Sequence, residues 1–331
     1  MTDHINRRSL LAGAAATAGI ASAATGSASA AKEDDIDLSG LSILITGASS
    51  GFGRLGAEHY ARLGATVFAS MRNVPRTEAE ELMDLASGEN LDITVVEIDV
   101  QSDEQVASGV DAVLQATGGT LDVLVNNAGI SYGGPVEMQD IEATQNIFNT
   151  NLFGPHRMAR AVLPTMRKRG SGQIFQISSQ LGRVIYPTLA QYSPTKFALE
   201  AMSEQMAYEI ASQGIEVTII EPGGYPTDIW ENALVLTEDL LERTEPEVLD
   251  AYSAMIEAVR ARGESGGDSD PMDIPHAIAE IIAMPAGSRP LRRAVHPGPK
   301  PQQFINFASA RTQKAMLGRT PFAEAGKAVL D

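Results

Sequence analysis

The sequence predicts a single α/β domain built on a doubly wound parallel sheet, and two observations lead to this fold class. Between Leu41 and His296, short apolar runs alternate with amphipathic stretches. Several of the runs are apolar and β-branched throughout, which is typical of strands covered on both faces. Regular alternation of strands and helices then predicts parallel strands joined by right-handed crossovers.

Seven runs have strand character, and five of the stretches between them have helical character. The strands are predicted at Leu41–Thr46, Thr66–Ser70, Thr94–Ile98, Val123–Asn126, Gln173–Ser178, Glu216–Glu221 and Arg292–His296. The helices are predicted at Gly53–Leu63, Ser102–Ala116, Ile141–Arg169, Tyr192–Ser212 and Ile274–Ile282. Pro164 lies late in the longest helix and is expected to kink it.

The segment from Thr227 to Asp273 interrupts this alternation. It is rich in Leu and Glu and ends near the turn-rich run Gly263–Asp268. This pattern predicts one or two helices followed by a mobile loop, together forming a small lid over the substrate pocket. Residues 31–40 are then a linker, 41–300 the main domain, and 301–331 a tail with one closing helix that carries Phe304, Phe307, Met316 and Leu317.

Composition excludes several classes of function. The chain has 331 residues and a formal net charge of −17, which argues against binding to nucleic acid or to anionic membrane surfaces. With 44% hydrophobic residues it can bury a substantial core. The absence of cysteine excludes disulfides and thiol catalysis, and five scattered histidines without HExxH spacing predict no metal site.

The first thirty residues have the features of an export signal. Arg7 and Arg8 form a twin-arginine pair, an uncharged stretch follows from Leu11 to Ala24, and Ala28-Ser29-Ala30 offers a cleavage site. Residues 1–30 are therefore predicted to be a removed signal peptide, which would place the mature protein in the periplasm or outside the cell. The alternative is a disordered Ala-rich tail on a cytoplasmic protein. The segment is too short and too weakly apolar for a stable membrane anchor.

A glycine-rich turn follows the first predicted strand. It reads Thr46-Gly47-Ala48-Ser49-Ser50-Gly51-Phe52-Gly53. Small residues let the backbone approach a pyrophosphate, and the next helix offers its free N–H groups to the same anion. The turn therefore predicts a Rossmann-type dinucleotide site. Its spacing, G-x-x-x-G-x-G, differs from the more common G-x-G-x-x-G.

Further motifs follow in a fixed order after this turn. They are Asp99-Val100 at the end of the third strand, Asn126-Asn127-Ala128-Gly129 after the fourth, Asn151 in the next helix, Ser179 after the fifth strand, Tyr192-Ser193-Pro194-Thr195-Lys196, and Pro222-Gly223 with Thr227 after the sixth. With the glycine-rich turn, these motifs resemble the short-chain dehydrogenase/reductase family over about residues 41–230.

The resemblance implies a catalytic set of Asn151, Ser179, Tyr192 and Lys196. Tyr192 would exchange a proton with the substrate oxygen, which Ser179 would hold, while Asn151 would anchor a water that passes protons to Lys196. Lys196 lies one helical turn from Tyr192, and its ammonium is expected to pull the pKa of the phenol down toward the working range. The expected reaction interconverts a secondary alcohol and a ketone or aldehyde by hydride transfer to or from a nicotinamide.

The residues after the second strand predict which nicotinamide cofactor is used. The strand ends in Met71-Arg72-Asn73 without the carboxylate that NAD enzymes place there, and Arg72 with Ser50 could bind a 2′-phosphate. NADP(H) is therefore favoured over NAD. Asp99 is expected either to accept from the adenine amine or to cap the next helix. The predicted cofactor residues are Gly47, Ser49, Ser50, Gly51, Phe52, Gly53, Arg72, Asp99, Val100, Asn126, Ala128, Gly129, Tyr192, Lys196, Pro222, Gly223 and Thr227.

Two other classes remain as alternatives. One is a nucleotide-binding sensor or scaffold without turnover, which would be expected to lack the Tyr or the Lys. The other is an epimerase or dehydratase on the same scaffold. The apolar lid suggests a hydrophobic substrate, with Tyr186, Tyr225 and Trp230 expected in its pocket. The family resemblance also implies a homodimer or homotetramer packed through the Asn151 and Tyr192 helices.

Overall fold

The computed structural model describes residues 36–263 and 268–330. The predicted signal peptide, 1–30, lies outside the described residues, as does most of the turn-rich run 263–268. Seven strands form one parallel sheet in the order β3-β2-β1-β4-β5-β6-β7. Their bounds are β1 Ser42–Thr46, β2 Thr66–Met71, β3 Ile93–Glu97, β4 Val123–Asn126, β5 Gly172–Ile177, β6 Ile215–Pro222 and β7 Arg292–Val295. The predicted doubly wound parallel sheet is confirmed.

Helices connect the strands and cover both faces of the sheet. Their bounds are α1 Gly51–Arg62, α2 Thr77–Glu89, α3 Asp103–Ala116, α4 Ile141–Phe148, α5 Gly154–Arg169, α6 Tyr192–Ile210, α7 Ile229–Glu242, α8 Pro246–Ala251, α9 Ser253–Gly263, α10 Asp273–Ala283, α11 Gln302–Leu317 and α12 Ala323–Leu330. A π-helical segment, Asn149–Phe153, joins α4 to α5, and a 3₁₀ turn, Gln180–Gly182, follows β5.

Strand β1 shows why the strands consist almost entirely of apolar residues. All five of its residues are buried. Because successive side chains of a strand point to opposite faces, Ile43 and Ile45 pack into one hydrophobic cluster and Leu44 into the other. The first cluster lies under α1, α2 and α10, and the second under α3, α5 and α6. Each face of the strand therefore needs apolar residues.

The long helix predicted from Ile141 to Arg169 is wrong in detail. The α-helical pattern ends at Phe148, and α5 starts only after the π-helical segment Asn149–Phe153. Pro155 has no N–H to continue the α-helical ladder at this point, so the longer π spacing occurs there. Pro164 lies inside α5, which continues through it and buries Val162 and Met166 on either side, and the kink expected there stays a prediction.

Three further segments differ from the sequence predictions. Helix α2 was not predicted, because only Ala79, Leu82 and Ala86 form its buried stripe. The region 227–273 contains three helices, α7 to α9, instead of one or two. The tail contains α11 and α12, separated at Gly318, instead of one closing helix. Among the described residues, no helix combines the length and apolar character needed to cross a bilayer.

Candidate active site

The glycine-rich turn between β1 and α1 forms an elbow at the carboxyl end of the sheet. Gly47 and Gly51 have positive φ angles of 67° and 52°, which favour glycine. Gly53 has a different constraint. A Cβ atom placed there would lie 2.2 Å from the carbonyl oxygen of Gly47 and 2.5 Å from Nδ2 of Asn127. The elbow therefore depends on close backbone packing that only glycine permits.

Two polar side chains from neighbouring strands hold this elbow in place. The hydroxyl oxygen of Thr46 accepts hydrogen bonds from the backbone N–H groups of Asn127 and Ala128, each at 3.0 Å. The amide of Asn127 donates in return to the carbonyl oxygens of Thr46 and Gly47, at 2.9 and 3.2 Å. The motifs after β1 and β4 thus form one unit, which aligns the elbow with the loop that leads to Gly129.

A cavity of about 410 Å³ runs from this elbow to Tyr192. Most of the residues predicted from the sequence line it: Gly47, Ser49, Ser50, Gly51, Phe52, Arg72, Asp99, Val100, Ala128, Gly129, Ser179, Tyr192, Lys196, Pro222, Gly223 and Thr227. These residues come from the carboxyl ends of six strands, where the ligand sites of open α/β sheets lie.

Four predicted residues do not line the cavity. Gly53 lies behind the elbow, where it permits the packing described above. Asn126 is buried and donates toward the carbonyl oxygen of Pro155 at 3.4 Å, away from the cleft. Asn151 is also buried, behind the cavity wall. Tyr186, expected in the substrate pocket, is 52% exposed and lies outside it.

Tyr192, Ser179 and Lys196 meet at the inner end of the cavity. Tyr192 and Lys196 lie one turn apart at the start of α6, and Nζ of Lys196 lies 5.5 Å from the centre of the phenol ring. The ammonium donates to the carbonyl oxygen of Ile177 at 2.8 Å, at the end of β5. The hydroxyl of Ser179, two residues later, lies close enough to the phenol to lower its pKa.

The expectation that Lys196 lowers the pKa of Tyr192 is wrong for the protein alone. Desolvation raises the pKa of the phenol to about 12, and only the hydrogen bond with Ser179 acts in the opposite direction. Burial likewise lowers the pKa of Lys196 to about 8, against the charge of Glu200. The reason is that desolvation disfavours the charged form of each group. At neutral pH the site therefore holds a protonated phenol.

Asn151 lies in the π-helical segment, where its side chain contacts both the loop after β4 and helix α6. Its Oδ1 accepts from the backbone N–H of Ile130 at 2.9 Å, and its Nδ2 donates to the carbonyl oxygen of Ile130 at 2.9 Å and to Oγ1 of Thr195 at 3.1 Å. A Cβ on Gly129 would lie 3.5 Å from Oδ1 of Asn151 and 3.7 Å from Nζ of Lys196. Asn151 thus fixes the loop beside the lysine.

Two guanidinium groups lie at the opposite end of the cavity. Arg72 is exposed, and no salt bridge to it occurs in the described part of the chain. Arg76 also lines the cavity but is paired with Glu78 at 2.6 Å. Asp99 is not the cap of helix α3, as the alternative interpretation had it, because Oγ of Ser102 accepts from the backbone N–H of Gln105 there. The carboxylate of Asp99 instead faces the cleft and accepts from the N–H of Gln101.

The helices α7 to α9 cover the Tyr192 end of the cavity. Trp230, Val235 and Leu236 of α7 line it. The hydroxyl oxygen of Thr237 accepts from the N–H of Gly133 at 2.8 Å. A Cβ on Gly133 would lie 2.3 Å from a methyl group of Val259, so this lid sits directly on the loop after β4.

Tyr225 closes the wall between the elbow and the lid. Its ring packs edge-on against Phe52 and His296, each at 5.5 Å between centroids, and its hydroxyl donates to Asp273 at 3.0 Å. Its carbonyl oxygen accepts from the indole N–H of Trp230 at 2.8 Å. Tyr225 therefore positions the first turn of the lid against the sheet.

Similarity to known proteins agrees with this geometry. The family model for short chain dehydrogenases matches residues 42–235. The chain belongs to the short-chain dehydrogenase/reductase family. It is 34% identical to the uncharacterized oxidoreductase YusZ of Bacillus subtilis over 261 residues, which cover 77% of this chain and 87% of that one. It is 35% identical to human retinol dehydrogenase 8, over 76% of this chain and 80% of that one.

Solved structures of the family share the fold of this oxidoreductase. A short chain dehydrogenase/reductase from Burkholderia phymatum in complex with NAD superposes with a TM-score of 0.67 at 25% identity, covering 86% of this chain and 97% of that one. A gluconate 5-dehydrogenase from Burkholderia cenocepacia in complex with NADP and tartrate gives 0.59 at 27% identity, with coverage of 76% and 91%. Members of the family thus bind either nicotinamide dinucleotide.

Several residues of this site were not selected from the sequence. Asn127 lay within the Asn-Asn-Ala-Gly motif, but its double hydrogen bond to the elbow depends on the pairing of β1 with β4. Arg76 lies on the turn into α2, a helix that was not predicted. Ile130 and Ser131 line the cavity because the loop after Gly129 passes under the lid. No group of three or more His, Asp or Glu suited to a metal occurs among the described residues.

Proposed function

We propose that the protein is an NADP(H)-dependent oxidoreductase that interconverts a secondary alcohol and a ketone or aldehyde, with Tyr192 as the acid–base group. The observation that carries this proposal is the shared cavity. The phenol of Tyr192, its Ser179 partner and Lys196 lie at one end of the space whose other end is the glycine elbow and Arg72. Proton transfer and nucleotide binding can therefore occur side by side.

The residues present fit a nicotinamide dinucleotide. Gly47 and Gly51 line the cavity at positive φ, and α1 begins at Gly51, after Ser50, whose side chain makes no capping hydrogen bond. An extended pyrophosphate is stabilised by such a helix N-terminus. Both Asp99 and Lys196 line the cavity, where Asp99 would bind the adenine amine and Lys196 the ribose next to the nicotinamide. The bound nicotinamide would supply or accept a hydride at the substrate carbon.

The protein groups handle the proton. In the reducing direction, the protonated phenol of Tyr192 donates to the developing alkoxide, and Ser179 holds the same oxygen in place. The ammonium of Lys196 stabilises the phenolate that remains. Asn151 keeps the loop at Gly129 and the first turn of α6 in register, through its bonds to Ile130 and Thr195.

The lid supports a hydrophobic substrate. Trp230, Val235 and Leu236 line the cavity on the lid side, and Leu181 lines it beside Ser179. Apolar pockets with a few convergent polar groups are typical of sites that bind lipophilic ligands. The resemblance to retinol dehydrogenase 8 agrees with this choice. Medium-sized to long apolar ketones are therefore the substrates to assay first.

The preference for NADP(H) leads to a prediction for Arg72. Replacing it in Arg72→Ser removes the exposed guanidinium at the end of β2, so KM for NADPH should rise about tenfold to a hundredfold, the equivalent of one lost charge-assisted hydrogen bond. KM for NADH should stay unchanged, which makes NADH the internal control in the same steady-state assay. An equal rise in KM for NADPH and NADH would contradict the assignment of Arg72 to the 2′-phosphate.

The buried lysine leads to a prediction about pH. The ammonium form of Lys196, whose pKa is about 8, is present below that pH and lost above it. The affinity of the free enzyme for NADPH, followed by cofactor fluorescence, should therefore fall as pH rises through this value. In Lys196→Arg the cation persists, and this alkaline decline should disappear. A fall of NADPH affinity at the same pH in the wild type and in Lys196→Arg would show that another group is responsible.

Two wider proposals follow from the same chain. We propose a homo-oligomer that packs through α5 and α6, because Phe153, just before α5, and Phe197, on α6, are 47% and 40% exposed. A monomeric mass in analytical ultracentrifugation would exclude it.

We also propose export through the twin-arginine signal of residues 1–30. Exclusively cytoplasmic location, unaltered by Arg7→Lys with Arg8→Lys, would exclude it.

A further inference from the structure

A buried cluster of charges lies beyond the catalytic turn of α6, outside the cavity. It consists of Glu200 and Glu204 of α6, Glu221 of β6 and Arg292 of β7, and we refer to it as the acidic cluster. Arg292 donates to Glu200 at 2.8 Å and to Glu204 at 2.6 Å, and lies 3.7 Å from Glu221. The side chains of Glu200, Glu221 and Arg292 are 2%, 0% and 8% exposed. The cluster is therefore shielded from solvent.

Arg292 alone does not neutralise the three carboxylates. Arg183, from the turn after β5, acts on Glu204 and Glu221 as a second cation. The neighbours on α11 are neutral: Asn306 donates to both oxygens of Glu221, at 2.9 and 2.7 Å. Tyr208 donates to Glu204 at 2.5 Å. In this cluster the three carboxyl groups therefore outnumber the two guanidinium groups.

Glu200 connects this cluster to the active site. It lies four residues after Lys196 on α6, so both side chains project from the same face of the helix. The turn after Ser179 packs tightly over this face, since a Cβ on Gly182 would lie 2.9 Å from Cγ of Glu200 and 3.1 Å from the carbonyl oxygen of Lys196. Arg292 binds one carboxylate oxygen of Glu200, and the other, Oε1, is buried without a hydrogen-bond partner in the described part of the chain.

Lys196 is the cation that lies on the same face of α6 as Glu200. Burial lowers its pKa, and the one charge that opposes this change is that of Glu200. We propose that Glu200 is a positioning residue that keeps the ammonium of Lys196 charged inside the protein by supplying a buried negative charge one helical turn away. This inference rests on the proposed role of Lys196, and it extends the site by one turn of α6 into the acidic cluster.

Glu221 also responds to the loss of Glu200. Burial and the charge of Glu200 raise the pKa of Glu221 to about 7. Removing Glu200 therefore favours the ionised form of Glu221, and this change offsets part of the effect on Lys196. The shift that Glu200→Gln causes at Lys196 is what remains after this compensation.

The test is a titration of Lys196 by NMR in the enzyme without cofactor. The chain has six lysines, so [ε-¹³C]lysine gives few signals, and the signal that disappears in Lys196→Arg is that of Lys196. In Glu200→Gln its midpoint should move to lower pH by about one unit, the shift expected on losing a buried opposite charge one helical turn away. The alkaline decline of NADPH affinity should move with it.

Glu204→Gln is the matched control, because Glu204 is also on α6 and also accepts from Arg292. In Glu204→Gln, the pH at the midpoint of the Lys196 titration should equal that of the wild-type enzyme. An unchanged midpoint in Glu200→Gln, or an equal shift in both variants, overturns the proposal. A Lys196 midpoint below neutral pH in the wild-type enzyme also overturns the proposal, and this measurement needs no variant. The titration requires neither cofactor nor turnover, so its result does not depend on whether the proposed reaction is correct.

Discussion

Replacing Tyr192 by phenylalanine is expected to lower kcat for ketone reduction by about 10² to 10⁴, the range that a positioned general acid contributes. The substitution removes only the hydroxyl that Ser179 contacts, and the ring keeps its place at the start of α6. NADPH affinity and the unfolding temperature should therefore stay close to the wild-type values. Steady-state kinetics with an apolar ketone measures kcat, and a fluorescence titration measures the affinity for NADPH.

Tyr186→Phe serves as the control for this experiment. Tyr186 is half exposed and lies outside the cavity, so its loss of a hydroxyl should leave kcat unchanged. A residual rate in Tyr192→Phe within a fewfold of wild type would show that another group exchanges the proton. An inactive wild-type enzyme that still binds NADPH would instead favour the sensor or scaffold interpretation.

Gly53→Ala is expected to have the second large effect, on cofactor binding and on stability together. The new methyl group would overlap the carbonyl oxygen of Gly47, 2.2 Å away, and the amide of Asn127, 2.5 Å away. The first of these is backbone and cannot move without opening the elbow. Overpacking of this kind costs about 1–3 kcal/mol in the free energy of unfolding. NADPH affinity should fall by roughly a hundredfold, the equivalent of about 2.7 kcal/mol.

Gly88→Ala is the matched control for the elbow. Gly88 lies in the last turn of α2, and a Cβ there meets no atom within 4 Å. Alanine is favoured over glycine by at most about 0.5–1 kcal/mol at helical positions, so this variant should be at least as stable as the wild type and bind NADPH normally. Chemical denaturation and NADPH titration of the two variants side by side give the comparison. Wild-type NADPH affinity in Gly53→Ala would contradict the packing argument.

The sheet could be predicted from the sequence because its strands are covered on both faces. Ile43, Leu44 and Ile45 leave no polar face, and that pattern has few interpretations. Helix boundaries carried less information. The π-helical segment before Gly154 has no periodicity of its own in the sequence, and α2 buries only three small or medium side chains. The local sequence pattern therefore predicted the strands and the layers of the fold better than it predicted where helices begin and end.

The same contrast holds for the candidate site. Residues carried by short motifs, such as Gly47, Ser179 and Tyr192, could be named from spacing, and they line one cavity. Residues whose role depends on contacts between distant segments could not. Glu200 reads as one more charged residue on an amphipathic helix until β6 and β7 bring Glu221 and Arg292 against it. The pKa of Tyr192 was misjudged for a related reason, because spacing indicates the nearby lysine but not the burial of both groups.

The most direct test of the central claim is a crystal structure of the enzyme with NADPH bound. The account predicts that the pyrophosphate lies on the Gly47–Gly53 elbow, that the 2′-phosphate contacts Arg72, and that the nicotinamide reaches the phenol of Tyr192 with its ribose hydrogen-bonded to Lys196. A nicotinamide bound away from Tyr192, or an elbow that makes no contact with the pyrophosphate, would contradict it.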